Sequence, residues 1–149
     1  MTRNQIDRAF DYDMLMRDAG LAAADEWAEV DGVDKVIDLG GASRIDGVVI
    51  IDISAIEVDT TDELYDIIIQ GSASSTFASG IQNLGCLQLG AGAAHVTYGS
   101  GAATDTVGHY ELPFTNEQNG TSYQYLRLFT IVVAATVGIN YTAHLAKKS

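Results

Sequence analysis

The sequence predicts an all-β protein, an antiparallel sandwich of about eight strands behind an N-terminal arm, and three observations point there. From residue 36 onward, short runs rich in Val, Ile, Leu, Tyr and Phe are separated by clusters of Gly, Ser, Asn and Asp, which is the texture of strands and turns. Between those runs no stretch carries a helical pattern of ten or more residues, so the chain does not read as alternating strands and helices. The 149 residues fit one domain, and a chain of that size buries about 68–70% of its unfolded surface, enough for a core without staples.

Residues 1–35 stand apart, rich in Asp and Ala and poor in β-branched side chains. Met14 to Ala24 holds good helix formers with Asp13 as a candidate cap, yet Gly20 interrupts it and the apolar spacing is only partly helical. An extended arm with one short helical turn is expected, followed by a β-domain over residues 36–149. Trp27, the only tryptophan, lies among Asp25, Glu26 and Glu29; it either anchors the arm to its own domain or contacts a neighbouring chain.

The expected strands are Val36–Leu39, Val48–Ile53, Leu64–Gln70, Ile81–Leu89, Val107–Leu112, Tyr123–Val133 and Ile139–Ala146. Val48 to Ile51 and Ile67 to Ile69 are apolar on both faces, which marks central strands covered on both sides. Residues 90–106 are dominated by Gly and Ala and read as a long loop, with one weak strand around Ala94–Tyr98 as an eighth. Pro113, the only proline, cannot donate to a ladder, so its strand should end there or lie at an edge.

Residues 108–130 read as a strand, a polar turn over Asn116–Gly120 and a longer strand. Alternation puts Tyr123, Tyr125, Arg127 and Phe129 on one face of that second strand. Arg127 is the only Lys or Arg between residues 45 and 146. At a strand centre among aromatics it either pairs within the chain, with Glu111 on the preceding strand, or reaches across a subunit interface.

The pattern G-x-Y-x-L-P-F-T-N-x-x-x-G from Gly108 to Gly120, with Tyr125-Leu126-Arg127-Leu128-Phe129 after it, resembles the capsid cement, or decoration, proteins of tailed bacteriophages. Val36 to Gly40, Leu64 to Phe77 and Gly138 to Ala143 are similar and come in the same order, so the resemblance spans roughly residues 36–146. It implies a jelly-roll subunit, assembly as a homotrimer, and a place on the capsid exterior that clamps neighbouring major capsid proteins. On that reading Tyr123, Tyr125, Arg127, Phe129 and Glu111 are subunit-interface candidates. Asp7, Asp11, Asp13, Asp18 and Trp27 are candidates for touching the capsid, and the arm is expected to dock on a neighbouring subunit or the capsid protein, not on its own sandwich.

Charge narrows the partners. Residues 1–66 hold 17 acidic and 5 basic side chains, which accounts for the whole net charge of −12, while residues 67–149 are neutral. Such a chain repels phosphate backbones, so no direct nucleic-acid role is expected. The acidic half either serves solubility or meets a basic surface. The longest apolar runs, Gly47–Ile51 and Ile131–Val137, fall far short of the ~20 residues of a membrane helix, and the N-terminus lacks an apolar leader; the expectation is a protein made in the host cytoplasm, with no membrane partner.

Catalytic signatures are not expected. Gly90-Ala91-Gly92 lacks the dinucleotide spacing, no phosphate-binding Gly-Lys-Ser/Thr occurs, and the serines of Gly71 to Ser75 read as turn chemistry. His95, His109 and His144 sit on separate segments without metal spacing, so neither a cofactor nor a metal is expected. Cys86, the single cysteine, reads as a buried inert thiol among leucines. The alternative to a virion protein is a ligand- or glycan-binding module using Trp27, Tyr98 and Tyr110 as stacking platforms, which requires those rings to cluster. A cupin-type enzyme would need a close His pair that the sequence lacks.

Overall fold

A computed structural model describes residues 14–99 and 101–147. The chain first makes six strands of two or three residues: β1 (Leu15–Arg17), β2 (Leu21–Ala22), β3 (Glu26–Trp27), β4 (Glu29–Val30), β5 (Val33–Asp34) and β6 (Ile37–Asp38). Four longer ones follow, β7 (Asp46–Ile56), β8 (Leu64–Ser72), β9 (Gln82–Gly90) and β10 (Gly108–Thr115). A ribbon of β11 (Glu117–Gln118) and β12 (Thr121–Ser122) precedes the last two, β13 (Tyr125–Val133) and β14 (Ile139–Lys147).

Ten of the strands form two antiparallel five-stranded sheets, and β4–β5 and β11–β12 are separate two-stranded ribbons. One has the order β1-β14-β7-β10 with β2 also on β14; the other has the order β3-β13-β8-β9 with β6 also on β13. Alternation along each strand aims one set of apolar side chains inward: Val49, Ile51 and Ile53 from β7 meet Tyr65, Ile67 and Ile69 from β8, with Leu126 and Leu128 from β13 and Tyr141, Ala143 and Leu145 from β14. Burying each such Ile or Leu stabilises the fold by about 1.5–3 kcal/mol. β7 and β8 are central in their sheets, and their outward Ile50 and Ile68 are buried too, as their two-faced apolar pattern predicts. β10 is an edge strand carrying Pro113 in register with Val48, again as expected.

Three expectations are corrected. Residues 14–35 are no separate arm where they are described: β1 and β2 extend one sheet, β3 extends the other, and Met16, Ala22 and Ala28 are in the core. The short helical turn expected within Met14–Ala24 is confined, among the described residues, to Met14, which is in 3-10 conformation; β1 and β2 follow, because backbone groups there find partners on β14 and tertiary pairing overrides helix propensity. The weak strand at Ala94–Tyr98 is absent, and a 3-10 turn occupies Gly92–Ala94.

Residues 108–130 form the expected strand, polar turn and longer strand, but the two long strands do not pair with each other. β10 pairs with β7 and β13 pairs with β8, in opposite sheets. Asn116 makes the crossing possible. Fully buried, it accepts from the Ile45 amide at 2.7 Å and donates through Nδ2 to the carbonyls of Ser43 and Tyr123 at 2.9 and 3.0 Å. One side chain thus satisfies three backbone groups that the crossover takes out of the ladders.

Two polar contacts tie the sheets together through the interior. Tyr141 on β14 meets Thr130 on β13 with hydroxyls 2.6 Å apart, both residues fully buried. Arg17 on β1 donates to Glu26 on β3 at 2.7 Å while its guanidinium carbon lies 4.6 Å from the Tyr141 ring centre. At the same side of the sandwich Gly138, with φ +100°, backs onto β2, where an added Cβ would strike the Ala22 carbonyl; only glycine fits.

Thr130→Val should lower stability by about 1–3 kcal/mol, because it leaves the Tyr141 hydroxyl buried and unpaired. Adding Tyr141→Phe should restore part of that loss, since both polar groups are then gone. Urea midpoints at constant slope measure both effects, and a Thr130→Val protein as stable as its parent would show the bond to be dispensable.

Candidate functional site

β13 turns Leu126, Leu128 and Thr130 inward, which leaves Tyr125, Arg127 and Phe129 on the outer face of its sheet. Tyr123 does not join them. β13 begins only at Tyr125, and the Tyr123 ring sits on the core side of Gly71, where an added Cβ would come within 2.9 Å of Tyr123. Glu111 is further away still in the fold, on β10 of the other sheet, 3.6 Å from His109. The expected Arg127–Glu111 pair therefore does not form.

Arg127 instead donates from Nε to Gln70 Oε1 at 2.9 Å across the β13–β8 ladder. Its guanidinium carbon lies 4.6 Å from the Trp27 ring centre and 4.2 Å from that of Phe77, so the cation is held between two π-faces. Burial lowers its pKa from the ordinary arginine value while the Asp34 charge works the other way, and the group stays charged at physiological pH. Trp27 pairs with Phe129 in register and tilts against it at 6.4 Å, so it anchors the N-terminal segment to its own domain, with 46% of its surface still exposed. Phe77 reaches the arginine only by taking φ +51°, a strained conformation for a bulky residue. The loop around it holds that geometry through bonds from the Phe77 amide to the Ser74 carbonyl, the Ser74 amide to Ser72 Oγ and Ser72 Oγ to the Ser79 carbonyl. Trp27, Phe77 and Arg127 line a cavity of about 310 Å³ with Asp34, Ser75 and Thr76.

A second feature lies at one end of the sandwich, where β7, β9 and β13 finish and β8, β10 and β14 begin. Of the nine exposed large apolar side chains among the described residues, six are here: Leu21, Val96, Tyr98, Val107, Val133 and Val137. Val96 and Tyr98 are 77% and 72% exposed, on a loop that is firmly tied. Asp105 accepts from the Gly90 amide at 3.0 Å and meets His95 Nε2 at 2.7 Å. Gln88 Oε1 takes the amides of both Val96 and Thr97 at 2.8 and 3.0 Å. Beside it, Glu57 Oε2 accepts three successive amides, Thr136, Val137 and Gly138, at 2.6–2.9 Å. Those bonds, Gly138's first, hold its carboxyl below the usual range.

The remaining candidates scatter. Asp7, Asp11 and Asp13 lie outside the described residues. Asp18 accepts from the Asp31 amide at 2.7 Å, which braces the β4–β5 ribbon and engages its carboxylate within the chain. Trp27 is on the outer face of one sheet, Tyr110 packs against the core from β10 of the other, and Tyr98 is on the end loop beside His95. The three-ring platform does not assemble. Cys86 is exposed on the outer face, opposite Ile68, because it alternates with Leu87 and Leu89, which turn inward; the expectation of a buried thiol is corrected. Partial burial and the neighbouring Asp66 nevertheless push the thiol up to about 11, so little thiolate exists at neutral pH. Among the described residues no group of three or more His, Cys, Asp or Glu side chains is placed to hold a metal ion.

The two outer-face histidines of the first sheet should titrate in opposite directions. The hydrogen bond that His109 Nδ1 donates to Asp52 at 2.8 Å, opposed by slight desolvation and aided by Glu111, raises His109 above 6.5, whereas burial lowers His144 below it. The favourable term of His109 is complete below pH ~6.5 and fades as pH rises through its raised value. Proton NMR titration should show His109 as the later of the two to deprotonate, and Asp52→Asn should bring it down; an unmoved His109 in that variant would mean the contact is not formed in solution.

The structure thus offers a caged cation beside a cavity and an apolar end on a braced loop. No family model matches the chain, and no curated protein matches it.

Proposed function

We propose that the chain is a structural virion protein: a capsid cement protein of jelly-roll type that binds the exterior of a phage head as a homotrimer and stabilises contacts between major capsid proteins. The sequence resemblance over residues 36–146 supports this reading. The observation that carries it is the apolar end of the sandwich, where six exposed large side chains gather on loops braced by Asp105, Gln88 and Glu57. Exposed apolar surface gathered this way marks a surface meant for burial against a partner.

In this reading the loop end meets the shell. A protein that binds only the assembled shell stabilises it by RT ln(1 + [L]/Kd) per site, about 2.7 kcal/mol at a hundredfold excess over Kd, and modest contacts sum over many sites. The acidic first half, Asp7, Asp11 and Asp13 included, would speed association with a basic capsid surface, an effect that salt screens as the Debye length falls from about 10 Å at 0.1 M to about 3 Å at 1 M. Trimer formation would use the outer sheet faces; Arg127 itself is already engaged by Gln70, Trp27 and Phe77.

The test is decoration of undecorated heads by purified protein. Light scattering on a sizing column should report three subunits, and Val96→Ser with Tyr98→Ser should leave the melting temperature unchanged while reducing occupancy on the heads at least tenfold. Full occupancy by that double variant would place the capsid contact elsewhere, and a monomer that binds no head would refute the reading.

A further inference from the structure

We infer that the cavity beside Arg127 is a binding site for a single carboxylated sugar ring, a hexuronate-type residue. The hydrogen bond to Gln70 uses only Nε of Arg127, so the two terminal amino groups keep their donors for whatever enters. A guanidinium presents those donors as a planar fork that matches a carboxylate with two parallel bonds. Arg127 is 9% exposed, and the rings of Trp27 and Phe77 on its two faces leave its edge as the reachable part. Water is thereby thinned around the charge, which strengthens a bond made to it.

Strain supports the assignment independently. Phe77 occupies a left-handed conformation at φ +51° and is nevertheless buried. Such a conformation is disfavoured for a bulky residue and persists where the surroundings over-determine it, typically at ligand sites. Here the ring covers the one cation of the central β-domain. A glycine would relax the backbone and uncover the guanidinium.

The rest of the lining selects the ligand class. Ser75, Thr76 and Asp34 are groups that pair with hydroxyls, Lys35 adds a second positive charge, Val36 and Ile81 are apolar wall, and Trp27, 46% exposed, offers aromatic surface to the C–H face of a ring. Arg127 and Lys35 against Asp34 give the lining one net positive charge, matched to a single carboxylate, and the net charge of −12 repels a polyanion at long range, so an acidic peptide run fits poorly. A ligand with one carboxylate and several hydroxyls meets every feature. The cavity, about 310 Å³, is at the small end of ligand pockets, room for one sugar unit. This site stands apart from the loop end and does not depend on the cement-protein reading.

Trp27 is the only tryptophan, so its fluorescence reports the cavity directly. Methyl β-glucuronide titrated into the full chain should change that fluorescence saturably. Methyl β-glucoside, which lacks the carboxylate, and acetate, which lacks the ring, should each bind at least tenfold more weakly. Arg127→Lys, which keeps the charge and loses the fork, should weaken glucuronide binding roughly tenfold, the equivalent of about 1.4 kcal/mol. If that variant folds poorly, Thr76→Val on the exposed rim provides a second arm and should weaken the glucuronide without affecting acetate. No saturable response to glucuronide, an equal response to acetate or glucoside, or tighter binding of a glutamate-containing peptide would each overturn the assignment.

Discussion

The sandwich depends on a buried guanidinium that belongs to neither half of the core by chemistry and to both by position. Arg17 is 4% exposed, donates to Glu26 and the Gly20 carbonyl, and lies over Tyr141, whose hydroxyl in turn meets Thr130. Arg17 and Tyr141 come from one sheet, Glu26 and Thr130 from the other. Hydrophobic contact holds sheets together but does not fix how they slide; directional polar bonds do. Cation–π contact of a desolvated Arg is worth up to about 2 kcal/mol, and a buried hydrogen bond contributes about 1 kcal/mol net. Residues 14–35 are therefore structural, and their acidic character coexists with a place in the core.

All seven strands expected from residue 36 onward exist, because Val, Ile and aromatic runs of that length have few other options once a core is available to bury them. The central positions of β7 and β8 were legible for the same reason, as apolar character on both faces demands cover on both. Residues 14–35 were not legible as strands. Two- and three-residue ladders such as β2 and β3 carry no periodicity of their own, and their partners lie more than a hundred residues away on β13 and β14. The strand, turn and strand around Asn116 were legible, but not that the chain changes sheets there, because polar turn residues look alike whether the chain returns to the same sheet or passes to the other.

The candidate site was half legible. A lone Arg among aromatics in a strand flagged Arg127 correctly as unusual, but its partners Gln70, Trp27 and Phe77 are far apart in sequence, and Glu111 was nearest only along the chain. Phe77 left a faint sign in the Gly and Ser around it, which suit a loop able to hold a left-handed residue. Tyr123 was placed on the wrong face because alternation holds only within a strand, and β13 starts two residues later. The braced end loop could be read as a loop from its glycines; that Gln88 and Asp105 would tie it down could not.

That bracing has a consequence for how long a contact lasts. A slack loop surrenders conformational freedom when it is captured, at roughly 1–2 kcal/mol for each residue whose backbone becomes fixed. With the Val96 and Thr97 amides already held by Gln88, and the loop base closed by Asp105 on Gly90, most of that freedom is surrendered during folding. Tyr98 and Val96 are therefore preordered, and more of whatever apolar area they bury against a partner would be expressed as residence time.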